Sequence, residues 1–121
     1  MNLLVREATT KSPSVSFDPT TGILELKGRS IPENALEFYK PLMDWIDSWT
    51  QSSPAKTEMH VQLEYFNTSS SKCLLDLFKR LEKLDSKAVV VWKYETDDED
   101  MLEAGEDYEA ILSVPFEMRE V

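Results

Sequence analysis

Cysteine is nearly absent from this chain. Cys73 is the only one in 121 residues, so no disulfide can close within it. It falls on the apolar side of an expected helix, where a lone thiol serves as a small core residue. Histidine is equally scarce. His60 stands alone on the polar side of an expected strand, with no second His or neighbouring Cys for metal binding or Ser-His catalysis. The three glycines form no phosphate-loop pattern, which argues against a nucleotide fold. No apolar run approaches the ~20 residues of a membrane span. Met1 to Glu7 holds no apolar stretch of signal-peptide length, and a cytoplasmic location follows. Without a secretion signal, the glycosylation match at Asn67-Thr68-Ser69 carries no weight. Positive charge is also short. Thirteen basic residues face 23 acidic ones, leaving a formal net charge of -10. Nucleic acid and anionic membranes are repelled at long range, and a basic protein surface is the favoured partner.

Apolar residues make up 41% of the chain, with three Trp, four Tyr and five Phe. A length of 121 residues fits a single domain, 1–121, burying roughly two-thirds of its unfolded surface.

Leu3 to Arg6 reads as a short strand. Val15 and Phe17 alternate with polar neighbours in a second, and Ile23, Leu24 and Leu26 form a third that ends at Gly28. Asp18-Pro19-Thr20-Thr21-Gly22 between them signals a turn, so the two strands form an antiparallel hairpin. Ser30-Ile31-Pro32-Glu33 reads as a Ser-x-x-Glu capping box opening a helix over Pro32–Thr50, kinked at Pro41. Met59 to Phe66 alternates as a strand. A second helix follows over Ser70–Leu84, with Leu74, Leu77, Phe78, Leu81 and Leu84 as its apolar stripe. Ala88 to Trp92 is continuously apolar, the pattern of a central strand covered on both faces. Asp97-Asp98-Glu99-Asp100 starts a third helix that Gly105 weakens. Val114 to Met118 reads as a last strand, which Pro115 assigns to a sheet edge. Three strands followed by three helix–strand repeats predict an α/β (α+β) fold. It is a single-layer mixed sheet with packed helices, parallel where crossovers join the strands and antiparallel at the early hairpin.

The chemistry concentrates where the fourth strand stops. Asn67 is followed by Thr68, Ser69, Ser70 and Ser71, on or just before a helix N-terminus. Unpaired amides and the helix dipole favour negative charge there, and hydroxyls commonly cap such a turn. A phosphate on Thr68, the hydroxyl nearest the strand, would sit in a favourable field. Ser69-Ser70-Ser71-Lys72 also matches the Ser-x-x-Lys of some acyl enzymes, but its companion elements are missing. The acidic block Glu95, Asp97, Asp98, Glu99, Asp100, Glu103, Glu106 and Asp107 lacks calcium-loop spacing. Acidic residues suit a helix's first turns, and their functional use would be a partner-facing patch. Neither a metal nor a cofactor is implied.

Several blocks together resemble the SiaC family of bacterial regulatory phosphoproteins. They are Gly28-Arg29-Ser30-Ile31-Pro32-Glu33-Asn34-Ala35, Phe38-Tyr39-Lys40-Pro41-Leu42, Tyr65 through Lys72 and Asp97 through Asp107. The resemblance implies a fold similar to STAS-like anti-sigma-factor-antagonist domains and a reversibly phosphorylated threonine at Thr68. It further implies a cognate ATP-dependent kinase and a PP2C-type phosphatase. The unphosphorylated form would bind and activate a diguanylate cyclase, tying the switch to cyclic-di-GMP, aggregation and biofilm growth. Asn67, Thr68, Ser69, Ser70 and Lys72 form the expected partner-binding surface of a non-enzymatic switch. The competing readings are a constitutive interaction module whose hydroxyls only cap, and a small Ser/Lys hydrolase.

Overall fold

The computed structural model describes all residues from Met1 to Val121. Six strands form one sheet in the order β1-β2-β3-β4-β5-β6. They are β1 (Leu4–Arg6), β2 (Ser14–Asp18), β3 (Ile23–Ser30), β4 (Thr57–Phe66), β5 (Ala88–Tyr94) and β6 (Phe116–Glu120). The first three pair antiparallel, and β3 through β6 pair parallel. Each parallel step passes through a helix: α1 (Ala35–Gln51), α2 (Thr68–Leu81) with a 3₁₀ extension (Glu82–Lys87), and α3 (Glu99–Ile111). Every crossover advances one strand in the same direction. Right-handed connections then place all three helices on one face.

Burial follows that layout. Leu24, Leu26, Met59, Val61, Leu63, Val90 and Trp92 point into a 25-residue core beneath the helices. Alternate positions such as Glu25, His60, Gln62 and Lys93 line the bare face. The apolar run of β5 is thus covered by helices on one side only. Val91 is nonetheless 1% exposed on the bare face, between its register partners His60 and Glu117. The last strand lies at the sheet edge, as Pro115 indicates, but starts at Phe116.

The helix and strand ends depart from expectation for local reasons. Ser30 is no helix cap. It is the last residue of β3 and wholly buried. The cap of α1 is Asn34, whose Oδ1 accepts from Glu37 N at 3.1 Å while its Nδ2 donates to Glu37 Oε2 at 3.4 Å. The box therefore lies four residues later than the Ser-x-x-Glu match suggests. β3 does not stop at Gly28. A register shift between Gly28 and Arg29, with Gly28 at φ 125°, lets the strand continue to Ser30. Pro41 lies inside one uninterrupted helix, and its missing N–H leaves the Glu37 carbonyl without a ladder bond. Gly105 does not break α3 either. A side chain there would collide with the Trp92 indole, so the glycine permits close helix–sheet approach.

Candidate functional site

The site is built where β4 runs into α2. Asn67 caps that helix, accepting from Ser70 N on Oδ1 at 2.8 Å and from Ser71 N on its carbonyl at 2.9 Å. Its own amide donates to the Ser30 carbonyl at 3.1 Å, which ties the turn to the end of β3. Thr68 is therefore the first residue of α2 and Ser69 the second, two residues earlier than the apolar stripe alone indicates. Both are exposed. Their amides have no intrahelical acceptor, and the dipole's positive end is concentrated there.

Ser70 does not join this surface. It is wholly buried, and its hydroxyl is fully engaged. Ser70 Oγ donates to the Ser30 carbonyl at 2.9 Å and accepts from Ser30 Oγ at 2.8 Å. With the Ser30 proton committed, Tyr39 must donate its phenolic hydrogen to Ser30 Oγ at 2.6 Å. Burial pushes the Tyr39 phenol up to about 12, partly offset by its hydrogen bond with Ser30, so it keeps the proton that this chain of bonds requires. Three hydroxyls thus pin α1, β3 and the first turn of α2 together in the core. The sequence carried a signal for this. Ser70 stands three, four and seven residues before Cys73, Leu74 and Leu77, on the stripe itself.

Two further bonds fix the turn. Ser71 Oγ donates to the Thr68 carbonyl at 2.7 Å, and Tyr108 OH, reaching over from α3, donates to the Ser71 carbonyl at 2.8 Å. Ser30, Tyr39 and Tyr108 were not visible as site residues from periodicity, because their roles depend on elements far apart in the chain. Removing only the Tyr39 hydroxyl should loosen the turn without emptying the core. Tyr39→Phe is expected to cost about 1–2 kcal/mol, the scale of one buried hydrogen bond. Denaturant unfolding should show that loss, and amide exchange at Ser70 and Ser71 should accelerate. An unchanged midpoint with unchanged exchange would mean that the hydroxyl chain holds nothing.

Lys72 lies one turn beyond Thr68, exposed and in no ion pair. It lacks the burial that an acyl-enzyme base requires, and the Ser-x-x-Lys match loses its mechanism. The acidic block runs along the loop and first turns of α3. Asp98 caps that helix, accepting from Met101 N at 3.0 Å. No three His, Cys, Asp or Glu side chains gather as a metal-ion ligand set. No helix is long and apolar enough to cross a membrane. Cys73 is buried, and its thiol is pushed up first by burial and then by Asp76, consistent with a packing role.

Thr68, Ser69 and Lys72 therefore share one exposed helix start, with half-buried Asn67 capping it and Ser70 locked beneath them. This arrangement sits in a fold shared with known regulators. The chain is 30% identical over 111 residues to an uncharacterized protein of Pseudomonas aeruginosa strain UCBPP-PA14, covering 89% of this chain and 88% of that one. It is also similar to a chain in the crystal structure of the diguanylate cyclase SiaD in complex with its activator SiaC from P. aeruginosa. There the TM-score is 0.92 at 27% identity, covering 98% of this chain and 99% of the other. The crystal structure of apo-SiaC from the same organism matches with a TM-score of 0.89 at 28% identity, over 98% and 99% of the two chains. The family model for SiaC family regulatory phosphoproteins matches residues 6–121. A sheet-and-helix domain with its hydroxyls displayed at a helix start, matched along nearly its whole length, belongs to the SiaC family of regulatory phosphoproteins and is a regulator rather than an enzyme.

Proposed function

We propose that this protein is a signalling switch whose state is the presence or absence of a phosphate on Thr68. Unmodified, the start of α2 docks on a partner protein and regulates it. The likeness to the activator SiaC, solved in complex with the cyclase SiaD, favours a diguanylate cyclase as that partner. A cognate ATP-dependent kinase writes the phosphate, and a PP2C-type phosphatase removes it. The switch then governs cyclic-di-GMP and, through it, aggregation and biofilm growth. All of this takes place in the cytoplasm.

The observation that carries the proposal is the split between Thr68 and Ser70. Both hydroxyls belong to one helical turn, yet one is exposed and the other sealed. A modifying enzyme can reach Thr68 while the buried bonds at Ser70 keep the turn in place. The modified state is also locally favourable. A phosphate of about -1.5 to -2 charge at the first helical residue meets open amides and the positive end of the dipole. Lys72 stands four residues on, the spacing at which helical side chains meet. The same charge weakens the docked complex, because it must be desolvated against a partner surface that evolved to meet a neutral hydroxyl. Asn67, Ser69 and Lys72 form the rest of the contact, and Ser70 serves it from below.

The test is phosphate incorporation. Incubated with its kinase and ATP, the protein is expected to gain one phosphate by intact mass, with peptide mapping placing it on Thr68. Thr68→Ala should gain none, and Ser69→Ala should behave as wild type. Phosphate found on Ser69 with Thr68 untouched would overturn the assignment.

A further inference from the structure

Beside the α2 start lies a groove of about 340 Å³ that the switch as described does not use. One wall is the end of β4, Glu64 to Phe66, and the other is the first turns of α3. Phe66 and Met101 supply its apolar floor, and Tyr65 stands over it 54% exposed, among the few large aromatic rings this protein shows to solvent. Glu64, Asp98 and Asp100 make the rim. No lysine, arginine or histidine pairs with any of the three, since every ion pair of the molecule lies elsewhere. Phe66 is two residues before Thr68, so their Cα atoms are within about 7 Å. The groove is thus within reach of an enzyme that acts on the Thr68 side chain.

We propose that the groove is the docking site of the phosphatase that restores Thr68, and that it receives a segment of that enzyme carrying Lys or Arg beside an apolar side chain. The proposal rests on Thr68 as the modified residue. Charge decides among the possible occupants. Glu64 and Asp100, with Asp98 already capping α3, put three carboxylates without a basic partner on a protein of net charge -10, and they attract a basic segment. Phosphate on Thr68 adds about two negative charges at the same rim, which strengthens that attraction. A partner that releases the protein upon phosphorylation gains nothing from such a groove. An enzyme that must hold the phosphorylated form and discharge the unmodified one gains at both ends. In its step water attacks phosphorus and the bond from phosphorus to Thr68 Oγ1 breaks. Inorganic phosphate leaves, and the threonine oxygen takes a proton. The rim loses its added charge as the product forms, and the grip slackens.

Steady-state dephosphorylation of the Thr68-phosphorylated protein by its purified PP2C-type phosphatase tests this. Glu64→Lys combined with Asp100→Lys is expected to raise KM about tenfold or more with kcat within about twofold. Neither residue caps a helix, so folding is preserved, and circular dichroism checks it. Tyr65→Ala should raise KM in the same direction by a smaller factor. Glu109→Lys combined with Glu120→Lys makes the same change in net charge away from the groove and should leave KM within about twofold. An unchanged KM in the groove variant, or an equal rise in the control pair, overturns the proposal while leaving Thr68 as the switch. Loss of binding between the unmodified protein and the cyclase, with dephosphorylation intact, gives the groove to the cyclase and overturns it as well. Failure of the wild-type protein to carry phosphate on Thr68 overturns the groove assignment together with the switch beneath it.

Discussion

Thr68→Asp is expected to weaken binding to the partner cyclase by roughly 30- to 150-fold, measured by titration calorimetry with both proteins purified. The estimate follows from about 2–3 kcal/mol for a charge forced into a contact built around a hydroxyl. Thr68→Ala should bind within a few fold of wild type, because it removes little that the contact needs, and it should be blind to the kinase. The pair of variants separates charge from shape. An aspartate at the first helical position is welcome to the helix itself, so the fold should hold or gain slightly. Lost affinity with undiminished stability then marks the effect as belonging to the interface. Equal binding by wild type, Thr68→Ala and Thr68→Asp would remove Thr68 from the docking surface. Lys72→Ala offers a further handle. If the lysine compensates the phosphate locally, the variant should lower the stability of the phosphorylated protein more than that of the unmodified one.

Trp92→Ala is expected to lose about 3–5 kcal/mol of folding stability. A domain of this size holds about 5–15 kcal/mol in all, so the variant should sit near the edge of folding. Its melting temperature should fall by roughly 10–20 °C. Trp92 is wholly buried at the centre of an aromatic cluster, with Tyr108, Phe66 and Phe78 ring centroids at 5.5, 6.1 and 6.3 Å. Its Nε1–H donates to the Met101 carbonyl at 2.9 Å, holding α3 against the sheet. The consequence reaches the switch. Tyr108 packs on Trp92 and also donates to the Ser71 carbonyl, so a loosened indole frees a clamp on the first turn of α2. Trp92→Phe should keep most of the packing and lose the bond to Met101, at about 1–2 kcal/mol. A loss below about 1 kcal/mol for Trp92→Ala would show that this cluster does not organise the core.

Much of the architecture was legible along the chain. Alternation in β2 and β4 and the stripe on α2 read correctly because each reflects a periodicity that one face of solvent imposes, and the Pro-Gly turn between β2 and β3 because its residues set the local backbone. The misreadings share a cause. Ser30 looks like a cap because Ser-x-x-Glu is a local pattern, yet the pattern is silent on whether the backbone there is already committed to a strand. The run Ala88 to Trp92 looks doubly covered, since burial of Val91 by neighbouring strand side chains and burial by a helix leave the same apolar letter. In the hydroxyl cluster all four side chains look alike. Only the helical phase distinguishes Ser70 from Thr68, and it shows once the stripe of α2 is extended back to Thr68.

By itself the sequence determined the acidic balance, the order of strands and helices, the position of the Thr68 turn and, through its motif blocks, the family. These are properties of composition and of near neighbours, which water and short-range sterics set. Only the tertiary structure decided that Ser70 locks onto Ser30, that Tyr39 and Tyr108 brace the turn, and that Tyr65 overhangs an acid-rimmed groove. Tyr39 bonds to Ser30 only nine positions away, but it reaches the turn through the Ser30–Ser70 bond. That bond, the Tyr108–Ser71 bond and the groove walls join residues roughly 30 to 40 positions apart, whose geometry exists only once the sheet has brought their elements together.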